Sequence, residues 1–295
     1  MVSQLAGLLR TMRPKQWTKN GFVFVALIFD RKLDDLQYGL ATLAGFVLLC
    51  AITSAIYIIN DLVDIEADRA HPVKRSRPLP AGELSKSVAV AAAIGFVVVS
   101  LPLGFLLNPV FGVILLGYFL LQLLYSFYLK HQVLIDVLTL AAGFLLRVGA
   151  GVALVFSPVT RFSPWLYVFT GTLALFLGFS KRRQELVMLQ SKANHTRPIL
   201  DQYNIKLLDE LILIVTASTI ITYALYTFSA EGLPDNHVMM LTNPFVIYGI
   251  FRYLYLIHVQ EGLETPDEVL LTDRPIQIAV VLWAIAVVIA LYILA

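Results

Sequence analysis

The sequence predicts an all-α, polytopic membrane protein of nine transmembrane helices. Three observations predict it: 58% of the 295 residues are hydrophobic, only 14% are charged, and mean hydropathy is +0.78. That balance is foreign to a water-soluble domain. A helix needs about 20 apolar residues to cross the hydrocarbon core, and the chain supplies that length many times over. The single cysteine, Cys50, lies in an apolar run and excludes both an internal disulfide and a cysteine-rich metal site. A net charge of +2 gives no reason to expect nucleic acid as a partner.

Taken in order, Met1 to Arg10 lacks the basic start, apolar core and small-residue cleavage site of a secretory leader, so it is expected to be retained. Gly7 to Asn20 is basic and carries Trp17, which suits a segment lying in the membrane interface. Crossings are expected near Gly21–Phe29, Tyr38–Ile59, Val88–Leu107, Val110–Leu129, Val133–Phe156, Pro164–Ser180, Leu207–Phe228, Val238–His258 and Ile276–Leu294. The first is short and is lengthened by what precedes it. The whole chain, 1–295, reads as one integral membrane domain with an interfacial segment at 1–20 and long loops at 60–87 and 181–206. With the N-terminus inside, 18 of the 22 Lys and Arg residues fall on the inner side; Arg31, Lys32 and Arg161 fall outside, and Arg147 lies within a span. That bias places both loops at the cytoplasmic face of the membrane. A coarse echo between the halves, each with a long charged loop, would bring the two loops to one mouth of the bundle.

Asn60 to Gly82, N-D-L-V-D-I-E-A-D-R-A-H-P-V-K-R-S-R-P-L-P-A-G, is unlike anything else in the chain. If the preceding helix continues through Asp68, then Asn60, Asp64 and Asp68 stand at i, i+4 and i+8, with Asp61 beside them. Carboxylates at that spacing repel one another and call for a cation. Oxygen donors of this kind suit Mg²⁺, which keeps several waters and bridges a few carboxylates to substrate phosphates. Arg69, Lys74, Arg75 and Arg77 follow and can hold phosphate oxygens. A charged, solvated loop is the bland alternative; the regular carboxylate spacing favours a metal–diphosphate site.

The second loop opens K-R-R-Q-E-L, with Lys181 and Glu185 at i, i+4 and Arg182 one step around. Topology alone explains a basic helix end, but opposite the acids it would make a second anion clamp. Arg147 and Asp136, eleven residues apart, return to one helix face and are candidates to line one cavity, or else to form structural pairs between helices. Tyr125 to His131 ends the fourth span, where Lys130 reaches either a phosphate or the membrane interface. His71, His131, His195, His237 and His258 show no metal-ligand spacing. Glu261 to Pro275, with Asp273 and Arg274 at the ninth helix, reads as a cap or lid over the site, or simply as a helix start.

The pattern N-D-x-x-D-x-x-x-D followed by K-R-x-R-P-L-x-x-G at Asn60–Gly82 resembles the first signature of the UbiA-like intramembrane prenyltransferases. The resemblance implies a nine-helix UbiA-like bundle that uses Mg²⁺-bound diphosphate as leaving group. R-P-K-Q-W-T-K-N at Arg13–Asn20, Tyr125–His131, K-R-R-Q-E-L and P-D-E-V-L-L-T-D-R-P are similar to one branch, the decaprenyl-phosphate phosphoribosyltransferases. That branch implies transfer of phosphoribosyl from phosphoribosyl diphosphate (PRPP) to a polyprenyl phosphate lipid, for cell-wall arabinan precursors. By the same resemblance Asn60, Asp61, Asp64 and Asp68 are catalytic, the three aspartates as metal ligands. Substrate contacts are expected from Lys15, Lys19, Lys74, Arg75, Arg77, Tyr125, Lys130, Arg147, Lys181, Arg182, Glu185, Asp273 and Arg274. The prenyltransferases carry a second aspartate motif after the sixth helix where Lys181, Arg182, Arg183 and Glu185 stand here. Bases in place of acids suit a donor with both a 5-phosphate and a diphosphate. A prenyltransferase acting on an aromatic or other acceptor is the nearer alternative, and an anion transporter the more distant one. The sequence is also compatible with a homo-oligomer.

Overall fold

The computed structural model describes residues 2–70, 74–155, 163–192, 198–234, 236–259, 269 and 272–294. His71, Arg161, His195 and Arg197, and Glu261–Glu268, Leu270 and Leu271 of the expected lid, lie outside these residues. Among the described residues every regular element is helical: α1 (Val2–Met12), a 3₁₀ run (Pro14–Val23), α2 (Phe24–Phe29), α3 (Leu36–Val63), α4 (Ile65–Ala70), α5 (Lys86–Leu107), α6 (Pro109–Phe127), α7 (Ile135–Val155), α8 (Pro164–Lys192), α9 (Ile205–Ser229), α10 (Asn243–His258) and α11 (Arg274–Val288). Short 3₁₀ turns occupy Lys74–Ser76, Leu129–His131, Pro198–Gln202 and Val238–Thr242.

Local chemistry sets the helix starts. Asp35 caps α3 by accepting from the N–H groups of Gln37 and Tyr38, and Asn108 caps α6 through Val110 and Phe111. Ser85, Asn204 and Asp273 do the same for α5, α9 and α11. Pro109 stands at the start of α6, where its missing N–H costs nothing.

Seven described segments are long and apolar enough to cross a membrane: α3, α5, α6, α7, α9, Val238–His258 and Arg274–Ile293. The two other expected crossings differ for physical reasons. Gly21–Phe29 resolves into the end of a 3₁₀ run and a six-residue helix. Pro164–Ser180 lies in the long helix α8, but Trp165, Tyr167, Thr170 and Thr172 dilute its apolar character just before the basic Lys181–Arg183. Leu106 and Leu213, 81% and 70% exposed, illustrate the apolar outer faces that suit a bilayer.

The chain forms two compact units. The first comprises Met1–Leu27, Lys32–Tyr128 and Leu146–Phe156. Its core packs Val23, Leu49, Ile52, Phe111, Leu115 and Ala150, and a second cluster packs Ile58, Ile65, Leu79 and Leu84. Gly151 is required here, because a Cβ would collide with the carbonyl oxygen of Val23. The second unit comprises Ile28–Arg31, Leu129–Leu145 and Ser157–Ala295, with Val137, Phe176, Leu208, Ile212 and Tyr253 at its centre.

Candidate active site

The acidic stretch belongs to the first unit. The sequence leads one to expect an unbroken helix through Asp68; α3 instead stops at Val63, and Asp64 takes φ −89°, ψ 8°. The helical hydrogen bonds nevertheless continue: Asp64 N–H donates to Asn60 O at 3.0 Å and Asp68 N–H to Asp64 O at 2.8 Å. The break therefore preserves the seven-residue phase between Asp61 and Asp68, two helical turns on one side. Buried Ile65 packs α4 into the cluster that also holds Leu79 and Leu84, which draws the following loop back over the acids. Leu84 N–H bonds Pro78 O and Gly82 takes the positive φ of 78° that the turn needs.

That loop delivers Arg77 between the two acids. Its Nη1 lies 3.2 Å from Asp61 Oδ1 and 2.6 Å from Asp68 Oδ2. Lys74 Nζ stands 3.8 Å from Asp68 Oδ1. Both carboxylates are deeply buried, 2% and 3% exposed at the side chain, whereas Arg77 is 27% exposed. Buried carboxylates need partners of this kind, since an unpaired buried charge costs several kcal/mol, on the order of 3–5. Asn60 and Asp64 are half-buried, Lys19 is half-buried, and Lys15 and Arg75 are exposed. Tyr125 is half-buried in the last turn of α6.

Sequence reasoning missed Arg13 as a member of the cluster. Its Nη2 donates to Asp61 Oδ1 at 2.6 Å, and its guanidinium lies 4.8 Å over the Tyr57 ring. The available signal was the basic R-P-K-Q-W-T-K-N stretch, but nothing in its spacing pairs it with a carboxylate 48 residues later.

Arg147 also finds partners in the first unit. Its Nε donates to Asn20 Oδ1 at 2.9 Å and its Nη2 to Tyr118 OH at 2.6 Å, with the guanidinium 4.7 Å over the Tyr118 ring. Asn20 is fully buried and donates onward to Cys50 Sγ and Thr53 Oγ1. Asp136 belongs to the second unit, where it accepts from Arg182 Nε at 2.7 Å and from Tyr203 OH at 2.8 Å. Tyr203 OH in turn accepts from the N–H of Leu134, a residue at φ 66°. Burial pushes the Tyr203 phenol up to about 12: the Leu134 N–H works against this, and the hydrogen bond to Asp136 and its charge reinforce it.

In the second loop, Arg182 is buried between Asp136 and Glu185 Oε2, the latter at 2.5 Å, so two carboxylates of the protein itself face its charge. Lys181 and Lys130 are half-buried in the same unit. Asp273, expected as a substrate contact, accepts from Ile276 N–H to cap α11 and pairs with Arg252 at 2.9 Å. Arg274 is the first residue of that helix.

No three His, Cys, Asp or Glu side chains among the described residues form a ready-made metal cage. The donor set at Asp61 and Asp68 nonetheless fits a hard divalent ion. Two buried carboxylates gather around one cationic nitrogen, and an ion of the Mg²⁺ type needs only one or two carboxylates if waters and phosphates complete its shell.

Comparison with known proteins gives a consistent picture. The model of the UbiA prenyltransferase family matches residues 21–262. The chain is 33% identical to decaprenyl-phosphate phosphoribosyltransferase of Corynebacterium glutamicum, over 98% of this chain and 87% of that protein. It is 29% identical to the protein of the same name from Mycobacterium tuberculosis, covering 95% of this chain and 92% of the relative. Among solved structures, a UbiA homolog from Archaeoglobus fulgidus bound to DMAPP and Mg²⁺ superposes with a TM-score of 0.72 at 21% identity, covering 97% of this chain and 99% of that one. That likeness carries the fold.

Proposed function

This chain belongs to the UbiA prenyltransferase family, a family of transferases that work within membranes, and we propose that it moves phosphoribosyl from PRPP to a polyprenyl phosphate and releases diphosphate. The observation that carries the reading is the pairing of buried Asp61 and Asp68 around Arg77, with Arg13 and Lys74 at the edge. Both substrates of such a reaction are anionic, and this cluster offers carboxylates for a metal beside cations for phosphate oxygens. The names of the relatives, which extend over nearly the whole chain, support the choice of donor and acceptor.

Asp61 and Asp68, with Asn60 and Asp64 adjoining, would hold Mg²⁺, which when bound supplies positive charge to a departing diphosphate. Arg77, Lys74 and Arg75 bind and orient phosphate oxygens, and Lys15 and Lys19 extend that positive surface. The acceptor phosphate is already an anion at neutral pH, so no side chain has to remove a proton. What the protein contributes is alignment and fixed charge. The reading includes nine crossings and places the cluster at the cytoplasmic face of the plasma membrane, following the distribution of Lys and Arg.

The test is incubation of purified protein with labelled PRPP, polyprenyl phosphates of several lengths and Mg²⁺, beside a parallel reaction with isoprenyl diphosphate and an aromatic acceptor. Mg²⁺-dependent lipid-linked ribose phosphate is expected. Its absence, together with prenylated acceptor in the parallel reaction, would replace this reading by ordinary prenyl transfer.

A further inference from the structure

Arg13 reaches the acidic cluster from outside the loop that supplies the other cations. It is the single residue between α1 and the 3₁₀ run, at φ 53°, ψ 63°, a region that non-glycine residues seldom adopt. Both sides of this joint are anchored. On α1, Arg10 pairs with Glu83 at 2.6 Å and Gln4 Oε1 accepts from Ser85 N–H at 2.9 Å. On the 3₁₀ run, Trp17 Nε1 donates to Ser54 Oγ at 3.1 Å. The strained residue thus projects a guanidinium across Tyr57 onto Asp61 Oδ1, the same oxygen that Arg77 contacts. The carboxylate is 2% exposed and Arg13 28% exposed, so the acid is fixed in the interior while its partner stands at the more open side.

Resting on the proposed function, we infer that Arg13 is an exchangeable counter-charge. It neutralises Asp61 while no divalent ion is held, and it transfers to a donor phosphate oxygen when an ion takes the carboxylate. Two facts require such an exchange. A carboxylate this buried must be compensated in the ligand-free protein. Two guanidinium groups and a divalent ion repel one another around a single oxygen, so ion binding drives at least one guanidinium off. The displaced fork is then positioned for phosphate, which guanidinium groups bind with two parallel hydrogen bonds. Arg13 accordingly opposes the metal and favours the donor, and neutralising it shifts the two affinities in opposite directions.

The experiment uses the full chain in lipid nanodiscs and the variant Arg13→Gln. Mn²⁺ binding is titrated by electron paramagnetic resonance without substrate, and KM and kcat are measured with PRPP and polyprenyl phosphate. Mn²⁺ affinity without donor is expected to rise about tenfold, and KM for PRPP to rise by at least about tenfold, with a smaller change in kcat. Unchanged or weaker Mn²⁺ binding by monodisperse Arg13→Gln would overturn the exchange, because a residue that only braces the fold has no reason to compete with the ion. Should that variant fail to fold, the uncharged Arg13→Met, of similar length, decides by the same criterion: tighter Mn²⁺ binding supports the exchange, and unchanged or weaker binding refutes it. Tighter Mn²⁺ binding in a protein that transfers no phosphoribosyl would overturn the proposed donor and leave the competition at Asp61 standing, so the two failures are distinguishable.

Discussion

Arg182 donates its Nε–H to Asp136 Oδ2 at 2.7 Å across 46 residues of chain, and the two side chains are 3% and 0% exposed. Tyr203 and Glu185 complete this group. Asp136→Ala would leave the guanidinium buried with one acid fewer. The expected loss is about 3–5 kcal/mol of stability, read as a lowered melting temperature in detergent. The joint replacement Asp136→Leu with Arg182→Met should recover much of it. A single variant that melts with wild type would contradict the assignment.

Tyr203 gives this group a pH signature. Its phenol titrates near 10 when unfolded and at about 12 when folded. Because the folded value is the higher one, its contribution is complete below pH 10 and is lost as pH rises from about 10 through 12. Tyr203→Phe should therefore be less stable than wild type at neutral pH, and the gap between the two should shrink over that window. A gap independent of pH would mean that the phenol does not titrate there.

Asp273 behaves with the opposite sign. Burial raises its pKa, but the hydrogen bonds from Arg252 and from Ile276 N–H, with the charge of Arg252, outweigh it and hold the carboxyl below the usual range. Its contribution is present above about pH 4 and lost as pH falls through the lower folded value. Asp273→Asn should consequently converge with wild type in melting temperature below pH 4. Unchanged KM for PRPP in the same variant would agree with a capping residue in place of the expected substrate contact.

Asp64→Asn should remain monodisperse, because Asp64 ends α3 through its backbone N–H. Mg²⁺-dependent transfer should fall by at least about 100-fold if its carboxylate serves the diphosphate site. Near-normal turnover at ordinary Mg²⁺ would remove Asp64 from the site.

Tyr118→Phe removes one hydrogen bond to Arg147 and keeps the ring beneath the guanidinium. The expected cost is about 0.5–2 kcal/mol, the range for polar contacts between membrane helices. Arg147→Ala should cost more, since Asn20 Oδ1 loses its charged donor as well. Equal effects of the two variants would deny the Asn20 contact any weight.

Composition and the long apolar runs determined the helical membrane character of this protein, because no other regular structure with so few charges satisfies its own backbone in lipid segment by segment. The helical period likewise determined that Asp61 and Asp68 share one side, a relation that survives the break at Asp64. Partner choice was left to the tertiary structure. Arg13 and Asp61 are 48 residues apart, Asp136 and Arg182 are 46 apart, and Arg147 and Asn20 are 127 apart. One helix holds both Asp136 and Arg147, yet packing commits each to different neighbours. A repeat in the sequence fixes which face of a helix a charge occupies; which opposite charge meets it depends on how other helices pack there, and that is a property of the assembled core.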